Sequence, residues 1–485
     1  MANKIRVRFA PSPTGPFHIG GARSALFNYL IAKHTQGDFI VRIEDTDRKR
    51  STKESEDNIK EALRWLHINW DEGIDIGGDY GPYRQTERLD LYKQYTDKLL
   101  AEGKAYYCFC DTETLEKQKQ DQLAKGETPK YEGTCRQLPK ETIDQYLKEG
   151  RPYVIRIKTP CNEILAIDDI VRGHVEFDSN QIGDFVIVKS DGIPVYNYCV
   201  VLDDALMKIT HVIRAEEHLS NTPRQLVLYH ALGFTPPTFA HVSLILGADK
   251  KKMSKRHGAT SVQQYRDLGY LPEAIFNFLG LLGWTPEGEN EILSQQELIQ
   301  QFSLERVAKN PAVFDIEKLN WINFHYMKGL DEEQLLTLCL PHLQKVGYVN
   351  DDMVKTQHDW LKAMVSALRN HIQFGAQVVE AARIFFTDEY EPENEEAAAV
   401  LREPSAADVL RMFKKEYTDL EVITADTVRP LFKKIQKEIG VKGKFVYMPI
   451  RVALTGNMHG PDLDVIISLM GHDKVVTRLM NSGLV

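Results

Sequence analysis

The chain has 485 residues, 43% of them hydrophobic, with a formal net charge of -9 at pH 7 and six cysteines. That length exceeds a single core and implies about three domains. The composition excludes a disulfide-stapled secreted scaffold and, with no signal peptide or long uncharged apolar run, predicts a soluble cytoplasmic protein without a membrane partner. Net negative charge also argues against indiscriminate coating of nucleic acid, while leaving room for local basic faces that select one RNA.

In chain order, Ile5, Val7 and Phe9 alternate with Arg6 and Arg8 and predict a strand. Ala22, Ala25, Leu26, Tyr29 and Leu30 then share one helical face, with Gly37 as the stop. The Pro-, Ser-, Thr- and Gly-rich turn between them brings His18 to the helix N-terminus, where free N–H groups and the helix dipole receive a phosphate. Gly20 and Gly21 leave that backbone open to a nucleotide. Phe39 to Glu44 reads as a second strand, and strand, helix, strand begins a doubly wound parallel sheet whose crevice lies beyond the carboxyl ends of its strands. Ser51-Thr-Lys-Glu54 reads as a capping box for a helix that buries Ile59, Ala62, Leu63 and Leu66. Another helix follows Tyr83 to Arg88 and runs to about Glu102.

From about Lys104 to Gly183 a polar helix (Thr112 to Lys125), mixed strands and turns interrupt the pattern, as an insertion between two halves of the sheet. Within it Cys108, Cys110 and Cys135 are spaced as zinc ligands would be, although a tetrahedral site needs a fourth donor. The sheet resumes with a strand at Asp184 to Lys189, turns at Ser190 to Pro194 and returns through Val195 to Cys199. Lys208 to Ile213 is a further strand ending at Arg214, and Thr222-Pro-Arg-Gln225 opens the next helix with a threonine cap. Phe239 to Leu246 is the last strand and delivers the chain to the basic loop Lys250-Lys-Lys-Met-Ser-Lys-Arg-His-Gly258. Beyond it the pattern is helical: Glu273 to Leu282 is apolar enough to be buried and Gly283 to Gly288 is a break. Trp360, Leu361, Met364, Val365 and Leu368 mark one amphipathic helix, and Val428, Leu431, Phe432, Ile435 and Ile439 another, with an acidic, proline-broken joint at Asp388 to Glu396.

Phe9-Ala-Pro-Ser-Pro-Thr-Gly-Pro-Phe-His-Ile-Gly-Gly21 and Lys252-Met-Ser-Lys255, in this order, resemble the paired HIGH and KMSKS motifs of class I aminoacyl-tRNA synthetases. Glycine in place of the second histidine is similar to the glutamyl branch, and the resemblance continues through Val41-Arg-Ile-Glu-Asp-Thr-Asp47, Val212-Ile-Arg-Ala-Glu-Glu217 and Arg451-Val-Ala-Leu-Thr-Gly456. An all-α C-terminal half resembles bacterial glutamyl enzymes and not the β-barrels of glutaminyl and eukaryotic glutamyl ones. The resemblance implies a Rossmann-type catalytic domain in two halves (1–103 and 184–257), an inserted acceptor-end-binding α+β domain (104–183) and a stem-contact region (258–328). Two helical anticodon-binding subdomains (329–386 and 397–485) complete the arrangement.

A carboxylate and ATP repel each other, so the site must neutralise charge while leaving the α-phosphorus open to in-line attack. Arg8 can grip the side-chain carboxylate of a glutamate bidentately, and Glu44 can receive its ammonium. By resemblance Ala10, Ser12, Tyr196 and Arg214 complete the glutamate pocket, and His18, Lys252 and Lys255 are catalytic. The implied ATP contacts are Pro11, Ser12, Thr14, His18, Gly20, Gly21, Glu217, His218, Leu246, Met253, Ser254, Lys255 and Arg256. Magnesium accompanies the ATP phosphates. The family's zinc-bearing members carry a histidine or tyrosine just after the third cysteine, where this chain has Arg136 and Gln137.

The implied reaction forms glutamyl-adenylate from L-glutamate and ATP, then transfers glutamate to the terminal adenosine of tRNA(Glu), with tRNA(Gln) as a second candidate acceptor. In this family the first step requires bound tRNA, and a monomer is expected. Basic clusters at Lys250 to Arg256 and at Lys433, Lys434, Lys437, Lys442 and Lys444 are candidate phosphate contacts. A relative that charges a modified base lacks the helical half, and a small nucleotidyltransferase lacks the complete second motif. An inactive tRNA-binding paralogue would retain both and is separated by ATP turnover.

Overall fold

The computed structural model describes residues 4–388 and 391–485, except for the side chain of Lys255. Part of the expected acidic joint, Glu389 and Tyr390, therefore lies outside the described residues. The chain divides into two compact units: residues up to Tyr265 with Ile275–Ile316, and Arg266–Ala274 with Glu317–Val485.

The first unit opens with β1 (Arg6–Phe9), α1 (Ile19–His34), β2 (Asp38–Val41), α2 (Lys53–Trp65), β3 (Glu72–Gly73) and α3 (Leu89–Ala101). β1 pairs in parallel with β2, Val7 opposite Phe39, and β2 in parallel with β3. β2 carries Phe39, Ile40 and Val41 fully buried, the continuous apolar run expected of a sheet covered on both faces, while in β1 the fully buried Val7 stands between Arg6 and Arg8. The expected capping box at Ser51 does not form: Thr52 is the N-cap and accepts the Ser55 N–H at 3.1 Å, its own N–H goes to the Pro13 carbonyl (3.0 Å), and Ser51 Oγ is buried without a partner among the described residues.

The inserted segment holds β4 (Ala105–Cys108), α4 (Thr112–Ala124), α5 (Lys140–Lys148), β5 (Val154–Ile157), β6 (Ile164–Asp169), β7 (Gly173–Asp178) and β8 (Val186–Val188). β4, β5 and β8 form an antiparallel sheet, and β6 and β7 a separate hairpin.

The parallel sheet resumes after α6 (Tyr196–Leu206), with β9 (His211–Ala215), α7 (Thr222–Leu232) and β10 (Thr238–Val242). Here the structure corrects four expectations. The strand at Asp184 to Lys189 does not resume the parallel sheet: β8 pairs antiparallel with β5 in the inserted segment, and the parallel sheet resumes only at β9. Val195 to Cys199 is not a returning strand but the start of α6: burial of Tyr198, Cys199, Val201 and Leu202 overrides their β propensity, with the Tyr198 hydroxyl hydrogen-bonded to Tyr92 and Thr96 of α3. Thr222 does not cap α7, because its hydroxyl accepts from Arg214 and Gln225 donates to Asn197 instead of back to the helix start. The last strand is split into β10 and β11 (Ile245–Leu246), since Leu244 turns its N–H to Glu216 Oε1 (2.8 Å). β11 pairs in parallel with β12 (Ala312–Val313).

β9 and β10 pair in parallel, and the Thr210 N–H to Arg6 C=O bond (2.9 Å) sets β9 beside β1. The order is therefore β3, β2, β1, β9, β10, and the winding reverses between β1 and β9. Ligand crevices of doubly wound sheets open at that reversal, beyond the carboxyl ends of the two strands.

In the second unit the described residues from 329 onward contain helices and no strand. Leu361, Met364, Val365 and Leu368 line the buried face of the helix His358–Leu368, and Val428, Leu431, Phe432 and Ile435 that of Ala425–Ile439. Both faces enter one core with helices Ala406–Thr418, Lys444–Thr455 and Leu463–Met470. The five lysines from Lys433 to Lys444 are exposed, with Lys434 paired to Glu416 (2.5 Å). Among the described residues no helix is long and apolar enough to cross a membrane.

Candidate active site

A cavity of about 1280 Å³ lies where the sheet order reverses, beyond Phe9 and Ala215. Arg8, Ala10, Pro11, Ser12, Thr14, His18, Gly20, Gly21, Glu44, Tyr196, Arg214, Glu217, His218, Lys252, Met253 and Ser254 all line it. Leu246 and Arg256 do not: Leu246 is the residue bridged to Lys252, and Arg256 turns away to Asp249 (3.0 Å). The side chain of Lys255 lies outside the described residues.

On the nucleotide side, His18 is the N-cap of α1, and its Nδ1 accepts the Gly20 N–H at 3.0 Å. A neutral imidazole carries one proton, so this bond assigns the proton to Nε2 and makes that atom a donor. Burial, reinforced by the charge of Lys252, pushes the His18 pKa down and favours that neutral form. Gly21 is required by packing, since a Cβ there would come 2.9 Å from the ring of Phe17. The chain just after the second motif is drawn to the first by the Ile19 N–H to Thr260 C=O bond (2.9 Å), and Lys252 Nζ lies 2.6 Å from Glu217 Oε2, just beyond β9. Burial, then the Arg214 charge, pushes His218 down to about 4, so it is neutral at pH 7.

Deeper in the crevice sits a buried charge network that the sequence reading only partly found. Asp204 Oδ1 accepts from Arg8 Nε (3.1 Å) and lies 3.0 Å from Arg42 Nη1. Arg42 also reaches Glu44 (3.0 Å), and Asp203 receives Arg88 (2.7 Å). Among the described residues Arg8 bonds the protein only through Nε, so its two terminal nitrogens are open to a ligand carboxylate. Burial pushes the Glu44 carboxyl up to about 7 against the pull of Arg42. Arg42, Asp203 and Asp204 were missed. Their signal was present: one arginine in the apolar run Phe39 to Ile43 and two acids within the apolar run Cys199 to Leu206.

In the inserted segment the sulfurs of Cys108, Cys110 and Cys135 lie within 4.8 Å of one another, Cys110 and Cys135 at 3.6 Å. The hydroxyl of Tyr131 is 3.4 Å from the sulfurs of both Cys108 and Cys110. A tetrahedral ion with Zn–S bonds of about 2.3 Å separates its sulfurs by about 3.8 Å. The three thiols and the Tyr131 oxygen therefore fit a tetrahedral ion in number and spacing. Neither residue after the third cysteine joins them; Arg136 is turned to Asp184 (2.7 Å). The candidate fourth donor, Tyr131, precedes Cys135 by four residues, whereas the resemblance points to the residues after it.

Residues 4–321 match the family described as tRNA synthetases class I (E and Q), catalytic domain, and residues 334–482 match an anticodon binding domain. The chain is 56% identical over 479 residues to a glutamate–tRNA ligase of Heliobacterium modesticaldum, covering 99% of this chain and 97% of that protein. It is 48% identical over 483 residues to a glutamate–tRNA ligase of Bacillus subtilis, covering 99% of this chain and 100% of the relative. A crystal structure of a glutamate tRNA ligase from Elizabethkingia meningosepticum in complex with its amino acid superposes with a TM-score of 0.87 at 35% identity, covering 99% of both chains. With matches running through both units and nearly end to end, the chain belongs to the class I tRNA synthetases of the E and Q group.

Proposed function

We propose that this protein is a glutamate–tRNA ligase that forms glutamyl-adenylate from L-glutamate and ATP and transfers glutamate to the 3'-terminal adenosine of tRNA(Glu). The observation that carries the reading is one crevice holding His18, whose tautomer is fixed as an Nε2 donor, together with the buried arginines Arg8 and Arg214.

In the first step an oxygen of the substrate α-carboxylate bonds to the α-phosphorus and pyrophosphate leaves. Arg8 grips the side-chain carboxylate, Arg214 faces the α-carboxylate and Glu44 takes the ammonium, so the nucleophile is held by groups of opposite charge. His18 Nε2–H stabilises charge developing on the α-phosphate, with the N-terminus of α1 behind it. Lys252 and Lys255 hold the β- and γ-phosphates and Ser254 hydrogen-bonds beside them, while magnesium enters with ATP and is bound mainly by phosphates. Thr14, Gly20, Glu217 and His218 border the nucleotide. In the second step the ribose hydroxyl bonds to the glutamyl carbonyl carbon and AMP leaves. Cys108, Cys110, Tyr131 and Cys135 would hold a zinc ion that cross-links the inserted segment and takes no part in the chemistry.

The test is ATP-dependent charging of tRNA(Glu) by wild type, His18→Ala and Lys255→Ala. Loss of a donor acting in the transition state lowers the rate about 10² to 10³-fold. Losses below about fivefold in both variants contradict the assignment. The same assay with tRNA(Gln) separates an enzyme restricted to tRNA(Glu) from one that charges both.

A further inference from the structure

Behind the crevice, Arg214 is held by groups outside the cavity. Its Nε donates to His241 Nε2 (3.0 Å) and its Nη2 to Thr222 Oγ1 (2.9 Å). Its Nη1 is buried without a partner among the described residues, although Arg214 lines the cavity. The ring of His241 is 0% exposed and places Nδ1 2.6 Å from Asp169 Oδ2, a carboxylate that is itself 3% exposed. Asp169 ends β6, in the inserted hairpin, and also accepts the N–H groups of Val171 (3.0 Å) and Arg172 (2.8 Å). From the same hairpin Arg172 donates to the His241 carbonyl (3.1 Å).

We propose that Asp169 and His241 are positioning residues for substrate glutamate: the Asp169 carboxylate fixes the His241 tautomer, which fixes the Arg214 guanidinium with Nη1 free for the substrate carboxylate.

The donor and acceptor inventory leaves one arrangement. A carboxylate only accepts, so His241 Nδ1 must carry the proton. Nε2 is then an acceptor, the only role compatible with the Arg214 Nε–H that faces it. Burial pushes the His241 pKa down, which keeps the ring neutral and spares Arg214 a second positive charge. Thr222 occupies Nη2, and the ring of Phe239 lies beneath the guanidinium (5.5 Å). Arg214 is thereby immobilised before the substrate arrives, and the ordering cost falls on folding instead of binding. A purely structural Asp169 would need only its backbone N–H partners. The 2.6 Å bond to a ring that continues to Arg214 sets it apart.

The inference rests on reading Arg214 as a contact to the amino acid, and the test separates the two claims. Charging of tRNA(Glu) is measured with L-glutamate and ATP each varied. In Asp169→Asn an amide nitrogen meets either His241 Nδ1 or the backbone N–H groups, so one donor always faces another. The expected result is KM for glutamate raised at least about tenfold, with KM for ATP and kcat within about threefold, because bonds to charged groups carry this weight. His241→Leu, which removes the acceptor, gives the same split. His241→Gln keeps an oxygen for Arg214 and stays within about threefold of wild type. Arg214→Ala is the control. If it raises KM for glutamate while Asp169→Asn and His241→Leu leave it within twofold, or change kcat and both KM values alike, the inference is overturned. If Arg214→Ala leaves KM for glutamate unchanged, the pocket reading falls and the inference with it.

Discussion

Lys252 Nζ lies 2.6 Å from Glu217 Oε2, so the second motif is tied across the crevice to the residue that follows β9 by two positions. Both side chains are well exposed, at 65% and 46%. An exposed pair of this kind contributes about 0 to 1 kcal/mol and weakens with salt. ATP phosphates therefore displace Glu217 from Lys252 at small cost. Glu217→Gln is expected to change KM for ATP less than about fivefold, measured by steady-state charging at two ionic strengths. A tenfold rise would mean that the carboxylate holds the nucleotide directly.

Glu44 provides a pH prediction. Its carboxyl is raised to about 7 by burial, and the substrate ammonium needs it ionised. Between pH 8 and pH 6 the ionised fraction falls about tenfold, so KM for glutamate rises by about that factor as pH is lowered. In Glu44→Gln the KM is high at both values and its pH dependence is lost. A variant that retains the wild-type slope would place the titrating group elsewhere.

Glu56 controls stability away from the site. Arg84, first through its hydrogen bonds, holds the Glu56 carboxyl down at about 2, with Lys53 assisting. A pKa depressed on folding stabilises the protein fully above the unfolded value of about 4.5, and that contribution is lost as pH falls from there towards 2. Glu56→Gln should lower Tm at pH 7, with the difference from wild type shrinking as pH falls below about 4.5 and closing only below pH 2. Melting curves across that range check it; a constant difference would contradict the pairing.

The candidate zinc site of Cys108, Cys110, Tyr131 and Cys135 predicts about one zinc per chain by elemental analysis of protein produced with zinc present. Cys110→Ser should abolish it, and Tyr131→Phe should bind zinc more weakly with the cysteines unchanged. Chelation should lower the Tm of the wild type and leave that of Cys110→Ser unmoved. Identical melting of the two proteins, with and without chelator, would show that the thiols are only packed.

How much was legible follows from how local each signal is. The His18 turn is strand, turn and helix within about thirty residues, and the structure forms it from the N-cap bond between His18 and Gly20. Helices with one strong apolar face, such as His358–Leu368, were equally readable. The network joining Arg8, Arg42, Asp203 and Asp204 was not, because its partners are far apart in sequence and only the sheet brings them together. α6 was misread for a related reason: Tyr196-Asn-Tyr-Cys-Val-Val201 has a strand's composition, and only burial of Tyr198, Cys199 and Val201 selects a helix. Asp169 and His241 gave no signal at all. Each is a polar residue in an otherwise ordinary short strand, Asp169 beside a second aspartate, and their meaning appears only where β6 meets β10.

The measurement that bears most directly on the account is charging of a tRNA(Glu) transcript with labelled L-glutamate, ATP and magnesium by the wild type and by His18→Ala. The account predicts ATP-dependent attachment of glutamate and not glutamine by the wild type, and a loss of about 10² to 10³-fold in the variant. Attachment of glutamine, or a variant within fivefold of the wild type, would contradict it.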